Sequence, residues 1–508
     1  MEIPSELNIA QWCLDRVADE HPARIAVAGE PAPVRYDELR TLTNRVGNAL
    51  RTMGCAPRDR VLVALPDSVE FIAAFFGIVK IGAVAVPINP LARRADFAQY
   101  ANHSGARIAF VHISALPRFA AATMPDGMDI IVVGGGDPTV QRTWTELTME
   151  AATALDPCHT GAHDPAFLLY TSGTTGRPKA AVHEHKNMMV TYRGLAEGVL
   201  GIRPDDRTLS VSKLFFAYGL GNAMSFPLSA GASTVLYPER PTLDGIARLL
   251  VRYRPTLFFS VPGFYRTILR ELGNGPRFDF SSVRLALSAG EALPADVFSA
   301  FRERFGLEIL DGLGSTEMLQ TFLCNRPNQA RAGTCGVEVP HYQIRLTDAA
   351  GAPVQDGDIG TLRVRGASSF SGYWRDPELT ARTKVGGWVV TGDQLYRDPD
   401  GYLHFCGRAD DMLKMSGMWV SPVAAEAALR QHSGVDRAVV LTKEDASGRR
   451  RLVAYVVVKR EWQTRLRDIR RHLREHLPVD TPAECISVAD IPLTATGKTD
   501  RATLLAMH

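Results

Sequence analysis

The stretch of the 508-residue chain richest in chemistry-bearing residues runs Tyr170-Thr171-Ser172-Gly173-Thr174-Thr175-Gly176-Arg177-Pro178-Lys179, directly after the apolar run Phe167 to Leu169. A strand that opens into small hydroxylated residues and two glycines lets backbone N–H groups and hydroxyls close on phosphate oxygens, and Lys179 adds a point charge. The pattern is not GxxxxGK[ST]. Gly176 is followed by Arg-Pro-Lys, and Gly497-Lys498-Thr499 has Pro492 where the first glycine would stand. Taken by itself, such a loop reads equally well as a flexible linker. Two histidine pairs raise metal chemistry. His472-Leu473-Arg474-Glu475-His476 has H-x-x-E-H spacing, but Leu466, Ile469, Leu473 and Leu477 form an amphipathic stripe ended by Pro478, which reads as an ordinary surface helix. His183-Glu184-His185 has no third ligand in sight, so no transition metal is expected.

A scaffold must position these residues. Through residue 300, short Val/Ile/Leu runs (60–65, 108–111, 130–133, 167–170, 209–211, 234–236, 257–261, 285–288) alternate with longer amphipathic stretches, which predicts α/β layers with largely parallel sheets. From about 334 to 406, short strands separated by Asp356-Gly357 and Asp400-Gly401 predict a β-rich subdomain. The apolar segment Phe71 to Ile88 is long enough to span a bilayer, but Lys80 sits at its middle and Pro87 near its end. It reads instead as a buried helix to about Lys80 and a short strand around Ala83 to Val86.

The composition, 45% hydrophobic and 22% charged with 43 Gly and 31 Pro, is that of a globular protein and excludes collagen-like, disordered and coiled-coil classes. The balance of 57 Lys plus Arg against 55 Asp plus Glu gives no general case for nucleic-acid or membrane binding. Seven cysteines without a CxxC pair, and an amino terminus lacking a basic start and apolar run, lead to a cytoplasmic expectation. The charge is uneven along the chain. From Arg408 onward 17 basic residues face 13 acidic ones, and Arg449 to Arg474 alone holds ten against two. That stretch reads as a solvated helix face or as a landing patch for an anionic ligand.

The loop at 170–179 resembles the phosphate loop of the adenylate-forming superfamily of acyl-CoA synthetases, peptide-synthetase adenylation domains and firefly-type luciferases. Further segments resemble that superfamily's motifs in the same order: Ser288-Ala289-Gly290-Glu291-Ala292-Leu293-Pro294 on the adenine side, Asp311-Gly312-Leu313-Gly314-Ser315-Thr316-Glu317 for nucleotide and magnesium, Thr391-Gly392-Asp393 for the ribose, Gly407-Arg408-Ala409-Asp410-Asp411 for the ribose and hinge, and Pro492-Leu493-Thr494-Ala495-Thr496-Gly497-Lys498 for the catalytic lysine. The resemblance covers nearly the whole chain. It implies an α/β fold: a large N-terminal domain (1–407) of two α/β lobes plus a β-rich subdomain, a hinge (408–411) at Asp410, and a small mobile α+β C-terminal domain (412–508). It also implies ATP contacts from Thr171, Ser172, Gly173, Thr174, Thr175, Gly176, Lys179, Gly290, Glu291, Ala292, Asp311, Gly312, Leu313, Asp393 and Arg408. Thr316, Glu317 and Lys498 are implied in catalysis, with Glu317 on magnesium. Adenylation joins a carboxylate to the α-phosphorus of ATP as pyrophosphate leaves, so positioned cations are its main device, and a hard carboxylate oxygen suits magnesium.

On the acyl side, Ser212 to Asn222 with Ser315 to Leu319 is similar to the benzoate-CoA ligase branch; Phe216 falls where many members carry a gating histidine. Phe216, Ala217, Tyr218 and Gly314 make a flat apolar slot for a planar ring, while Phe215 alone reads as core. Lys414-Met415-Ser416-Gly417-Met418-Trp419-Val420-Ser421-Pro422 resembles the loop that rotates in for thioester formation, which implies Lys414, Ser416 and Gly417 on the CoA side and makes a contact for CoA phosphates as good a reading of the basic stretch as a solvated face. Three departures stand out. Ala180 replaces a usual glycine. Gln320 replaces a histidine near the ring's far edge, which favours a hydroxy- or amino-substituted benzoate. Ala424 removes the first acid of a Pro-x-Glu-x-Glu run, leaving Glu426.

The expected activity is that of an AMP-forming acid-thiol ligase using ATP and magnesium: a small aromatic carboxylate becomes aryl-AMP, then aryl-CoA. Two alternatives are transfer of the aryl-AMP to a carrier-protein pantetheine or a nitrogen nucleophile, and a catalytically silent nucleotide-binding protein. Monomer and homodimer are equally open.

Overall fold

The computed structural model describes residues 1–30, 32–135, 142–171, 179–272, 277–415, 418–444, 450–459, 462, 466–476, 483–492 and 499–507. Strands with near-continuous apolar runs are buried on both faces, and they build two large, mostly parallel sheets. In the first lobe, eight strands lie in the order Gly372–Tyr373, Lys179–Glu184, Pro165–Thr171, Val84–Pro87, Arg60–Ala64, Ile108–His112, Asp129–Val133, Arg142–Thr143. All pairs from Pro165–Thr171 onward are parallel. The second lobe is nine-stranded: Val337–Glu338, Thr321–Cys324, Ile309–Gly314, Leu285–Ala289, Leu257–Ser260, Arg207–Ser210, Ser233–Val235, Ile25–Ala28, Val34–Arg35, antiparallel only at its two edges.

The apolar segment at 71–88 folds as expected from its charge. Ser68 caps the helix Val69–Lys80, accepting the Phe71 amide at 3.2 Å, and the strand Val84–Pro87 follows. Lys80 is buried, and it survives there because Asp15 lies 2.6 Å away and Asn44 accepts from its Nζ at 2.7 Å. Among the described residues, no helix is long and apolar enough to cross a membrane.

The β-rich subdomain is a five-stranded sheet of Gln343–Thr347, Gly360–Arg365, Trp388–Arg397, Lys384–Val385 and Leu403–Arg408. It is less self-contained than the turn signals suggest. Gly372 and Tyr373 ladder onto Val182 and Ala181 of the first lobe, and Val337–Glu338 edges the second. Beyond Arg408 come the hairpin Leu413–Met415 and Met418–Val420 and a three-stranded sheet of Val435–Glu444, Arg450–Val458 and Ala483–Ser487. The helices Pro422–Gln431 and Leu466–Glu475 accompany that sheet, and Ala425, Leu429, Val440, Ala454, Ile469 and Leu473 form its own core. The basic stretch is therefore not a single helix face, since it spans both a strand and a helix.

Candidate functional site

The parallel strands of the second lobe end together, and ligands of open α/β sheets sit beyond such carboxyl ends. Ser260, Ser288 and Asp311 are register partners on adjacent strands, so their side chains share one face. Ser260 Oγ, Ser288 Oγ and Asp311 Oδ1 are buried and have no hydrogen-bond partner among the described residues. Each unmet buried polar atom costs about 1–3 kcal/mol, so the row suits a hydrogen-bonding ligand such as a purine amine. The other carboxylate oxygen of Asp311 accepts the Leu293 amide at 3.1 Å, which ties the Gly290–Glu291–Ala292 turn to this strand. Gly290 has φ +95°, which a side chain would rarely adopt. Burial pushes the Asp311 carboxyl up to about 8.

Thr171 and Lys179 face each other across the first-lobe pair Pro165–Thr171 and Lys179–Glu184. Ser172, Gly173, Thr174, Thr175 and Gly176 between them lie outside the described residues, as do Ser416, Gly417 and Lys498. Ala180 is buried in an ordinary strand conformation, and its carbonyl accepts the Trp374 amide at 2.8 Å, so the departure from glycine costs nothing visible. Behind this pair, His183 and His185 are buried and held neutral, pushed down by burial to about 3 and about 4. His183 Nδ1 meets the Asn187 amide at 2.9 Å, and His185 Nδ1 accepts from Ile9 at 3.1 Å. In the other histidine pair, His472 Nε2 faces the Ala428 carbonyl at 2.9 Å and His476 Nδ1 the His472 carbonyl at 2.8 Å.

Thr316 and Glu317 sit in a single 3-10 turn capped by Ser315, whose hydroxyl accepts the Met318 amide at 3.3 Å. Leu319, next in the chain, has φ +67°, a strained value for a branched side chain, and it stands between Glu317 and Gln320. Tyr373 donates to Glu317 Oε1 at 2.6 Å, while Oε2 carries no hydrogen bond among the described residues. Asp393 and Arg408 face each other across an antiparallel pair, with Arg408 Nη1 donating to Asp393 Oδ1 at 2.8 Å. Burial pushes the Asp393 carboxyl up, opposed chiefly by Arg408, and Glu317 is close enough to both residues to influence their charge. Gly392 has φ +77°, and a Cβ there would come within 3.1 Å of the Arg408 guanidinium.

On the aromatic segment, Phe215 packs into the first-lobe core as expected, with Phe216 and Ala217 against it; Tyr218 is half-buried against the second-lobe core. Gln320 corrects an expectation. Its Nε2 donates to the carbonyls of Ala217 and Tyr218 at 3.2 and 3.1 Å, and its Oε1 accepts the Thr321 amide at 3.0 Å. Both ends of the amide are engaged within the chain, so Gln320 braces the 217–218 segment and has no free polar atom to offer a ring substituent. Gly314 is closely confined, since a Cβ there would lie 2.7 Å from the Gln320 carbonyl oxygen; at Gly312 it would lie 2.6 Å from the Thr321 methyl.

Sequence reasoning missed a buried clasp beside this segment. Asp67 Oδ1 accepts the Leu214 amide at 2.9 Å, and Oδ2 lies 3.5 Å from Lys213 Nζ. It missed Tyr373 as well. No spacing rule connects residues 67 and 213 or 317 and 373.

The carboxy-terminal unit reaches the same site. The Thr499 amide donates to Glu291 Oε1 at 2.9 Å, and Arg430 lies 3.8 Å from Asp296. Asp411 pairs with Arg501 across the segment following Asp410, and Lys414 lies in the strand Leu413–Met415. Glu426, the remaining acid of its run, is half-buried, accepting the Val440 amide at 2.9 Å with Arg430 3.6 Å away; Ala424 serves as the residue capped by Ser421. In the basic stretch, Arg451 and Arg470 line a cavity of about 460 Å³ with Lys443, Glu484 and Ser487.

Comparison with known proteins settles the lineage of this arrangement. The family model for AMP-binding enzymes matches residues 14–374, and that for the AMP-binding enzyme C-terminal domain matches 424–498. The chain belongs to the AMP-binding enzyme family. It is 40% identical to a benzoate–CoA ligase of Thauera aromatica over 99% of this chain and 96% of that protein. Its fold superposes on a benzoate CoA ligase from Burkholderia xenovorans LB400 with a TM-score of 0.90 at 37% identity, covering 98% and 99% of the two chains. It superposes on the anthranilate CoA ligase AuaEII, solved with anthranoyl-AMP, with a TM-score of 0.93 at 33% identity, covering 100% and 99%. The family's large N-terminal and small C-terminal parts correspond to the body and tail described above.

Proposed function

We propose that the protein activates a small aromatic carboxylate with ATP to an aryl adenylate and transfers the aryl group to CoA, releasing AMP. One observation carries this reading: the segment that follows Lys498 is docked on the adenine-side turn, through Thr499 and Glu291, while Glu317, Asp393 and Arg408 stand close together and Gln320 fixes the aromatic segment beside them. The relatives above, named for benzoate and anthranilate, support an aromatic acid.

The residues present fit the ligands. Asp311 Oδ1 is an unmet acceptor for an adenine amine, and Asp393 keeps a second oxygen for ribose hydroxyls beyond the one held by Arg408. Glu317 has one oxygen fixed by Tyr373 and the other without a donor among the described residues, which suits a hard cation. Magnesium, when bound, would neutralise charge on the phosphates. Lys179 and Lys498 would supply the protein's own positive charge where negative charge gathers around phosphorus.

The same reading divides the chain into a body (1–407), a hinge at 408–411 and a mobile domain (412–508). Domain rotation about Asp410 would withdraw Lys498 and bring in Lys414, Ser416 and Gly417 for the thiol step. Lys443, Arg451 and Arg470 around their cavity are then placed for CoA phosphates. Seven cysteines, none in a disulfide, favour a cytoplasmic location. The test is AMP release with benzoate or an aminobenzoate: it should require both the acid and CoA. Pyrophosphate exchange that proceeds while CoA changes nothing would point instead to a carrier protein or a nitrogen acceptor.

A further inference from the structure

Tyr373 lies outside every motif that led to the site, yet it joins two of them. Its strand, Gly372–Tyr373, pairs with Lys179–Glu184, the strand leaving the phosphate-loop segment, with Tyr373 opposite Ala181. The flanking residues repeat the tie: the Ser371 amide donates to the Val182 carbonyl at 2.9 Å and the Trp374 amide to Ala180 at 2.8 Å. The Tyr373 amide itself donates to Thr380 Oγ1 at 2.8 Å, fixing the start of the ring's trajectory. The ring packs edge-on against Phe370, centroids 4.8 Å apart, and the Phe370 amide donates to the Glu317 carbonyl at 2.7 Å. Glu317 is thus gripped twice by one short segment, once through its backbone and once through its carboxylate.

We infer that Tyr373 is a positioning residue for metal-bound nucleotide: its phenol holds Glu317 Oε1 and leaves Oε2, which has no donor among the described residues, for the cation. This rests on the proposed role of Glu317 and adds to it a residue that never touches metal or nucleotide. The hydroxyl is the informative atom, since a phenylalanine keeps the ring, the strand and the Phe370 contact. A charge-assisted hydrogen bond of this kind corresponds to roughly a tenfold effect or more when lost.

The test compares ATP binding by calorimetry, with and without magnesium and in the absence of any aryl acid, for the full chain and for Tyr373→Phe and Glu317→Gln. Tyr373→Phe is expected to weaken magnesium-dependent ATP binding about tenfold, to leave metal-free ATP binding and melting temperature unchanged, and to spare thioester formation from supplied aryl-AMP. Equal weakening with and without metal, or a lowered melting temperature, would show a merely structural tyrosine and overturn the inference. An unchanged metal dependence in Tyr373→Phe, with Glu317→Gln impaired, overturns it while leaving the role of Glu317 intact. An unchanged metal dependence in Glu317→Gln removes both.

Discussion

The backbone amide of Thr499 donates to the Glu291 carboxylate at 2.9 Å, bridging 208 residues of chain. Lys498 directly precedes that amide in sequence, and the contact holds the residue that follows the carboxy-terminal lysine motif on the adenine-side turn. The proposed division of labour makes this the orientation for adenylation.

Lys498→Ala should therefore lower aryl-acid-dependent pyrophosphate exchange by about 10² to 10³, the usual loss for one preorganised charge. Thioester formation from supplied aryl-AMP should persist. Equal damage to both half-reactions would contradict domain alternation.

Gly417→Leu should do the converse. A branched side chain in the segment assigned to the CoA side should stop thioester formation and spare pyrophosphate exchange, as single-turnover assays of each half would show. Normal CoA turnover in that variant would remove Gly417 from the assignment.

Gln320→Leu keeps the volume of the side chain but abandons the carbonyls of Ala217 and Tyr218. Two carbonyls losing a donor, at about 1 kcal/mol each, predict a rise of tenfold or more in KM for the aryl acid with little change in KM for ATP. A switch in preference among ring substituents at unchanged KM would instead mean that Gln320 reads the substrate directly.

The protonation of Asp311 gives a stability test. Its carboxyl is raised by burial to about 8, so the folded chain binds the proton more tightly than the unfolded one. The resulting stabilisation is complete below about pH 4, the unfolded carboxylate range, and is lost as pH rises toward 8. Between pH 6 and 9 the melting temperature of the full chain should fall more steeply than that of Asp311→Asn. Parallel curves would show that Asp311 is ionised throughout.

Much of this was legible in the residues. Alternating apolar runs announced largely parallel sheets, and Lys80 inside an apolar segment argued correctly for a buried helix rather than a membrane span. The motif order also picked out Glu317, Asp393 and Arg408, which the fold brings close together. What stayed hidden depends on contacts between distant segments. Asp67 looks like any loop acid until it meets Lys213 and Leu214. Tyr373 belongs to the first lobe's sheet although its neighbours in sequence build the β-rich subdomain. Gln320 misled because its donor and acceptor were counted without knowing that the carbonyls of 217–218 take the donor and Thr321 the acceptor.

The most direct test of the central claim is a paired measurement on the purified chain: pyrophosphate exchange and CoA-dependent AMP release across benzoate, its hydroxy and amino derivatives, and cinnamates. Exchange with one or more benzoates, followed by stoichiometric AMP release and aryl-CoA formation on adding CoA, is the predicted result. Exchange with none of these acids, or aryl-AMP that accumulates unchanged in the presence of CoA, would contradict it.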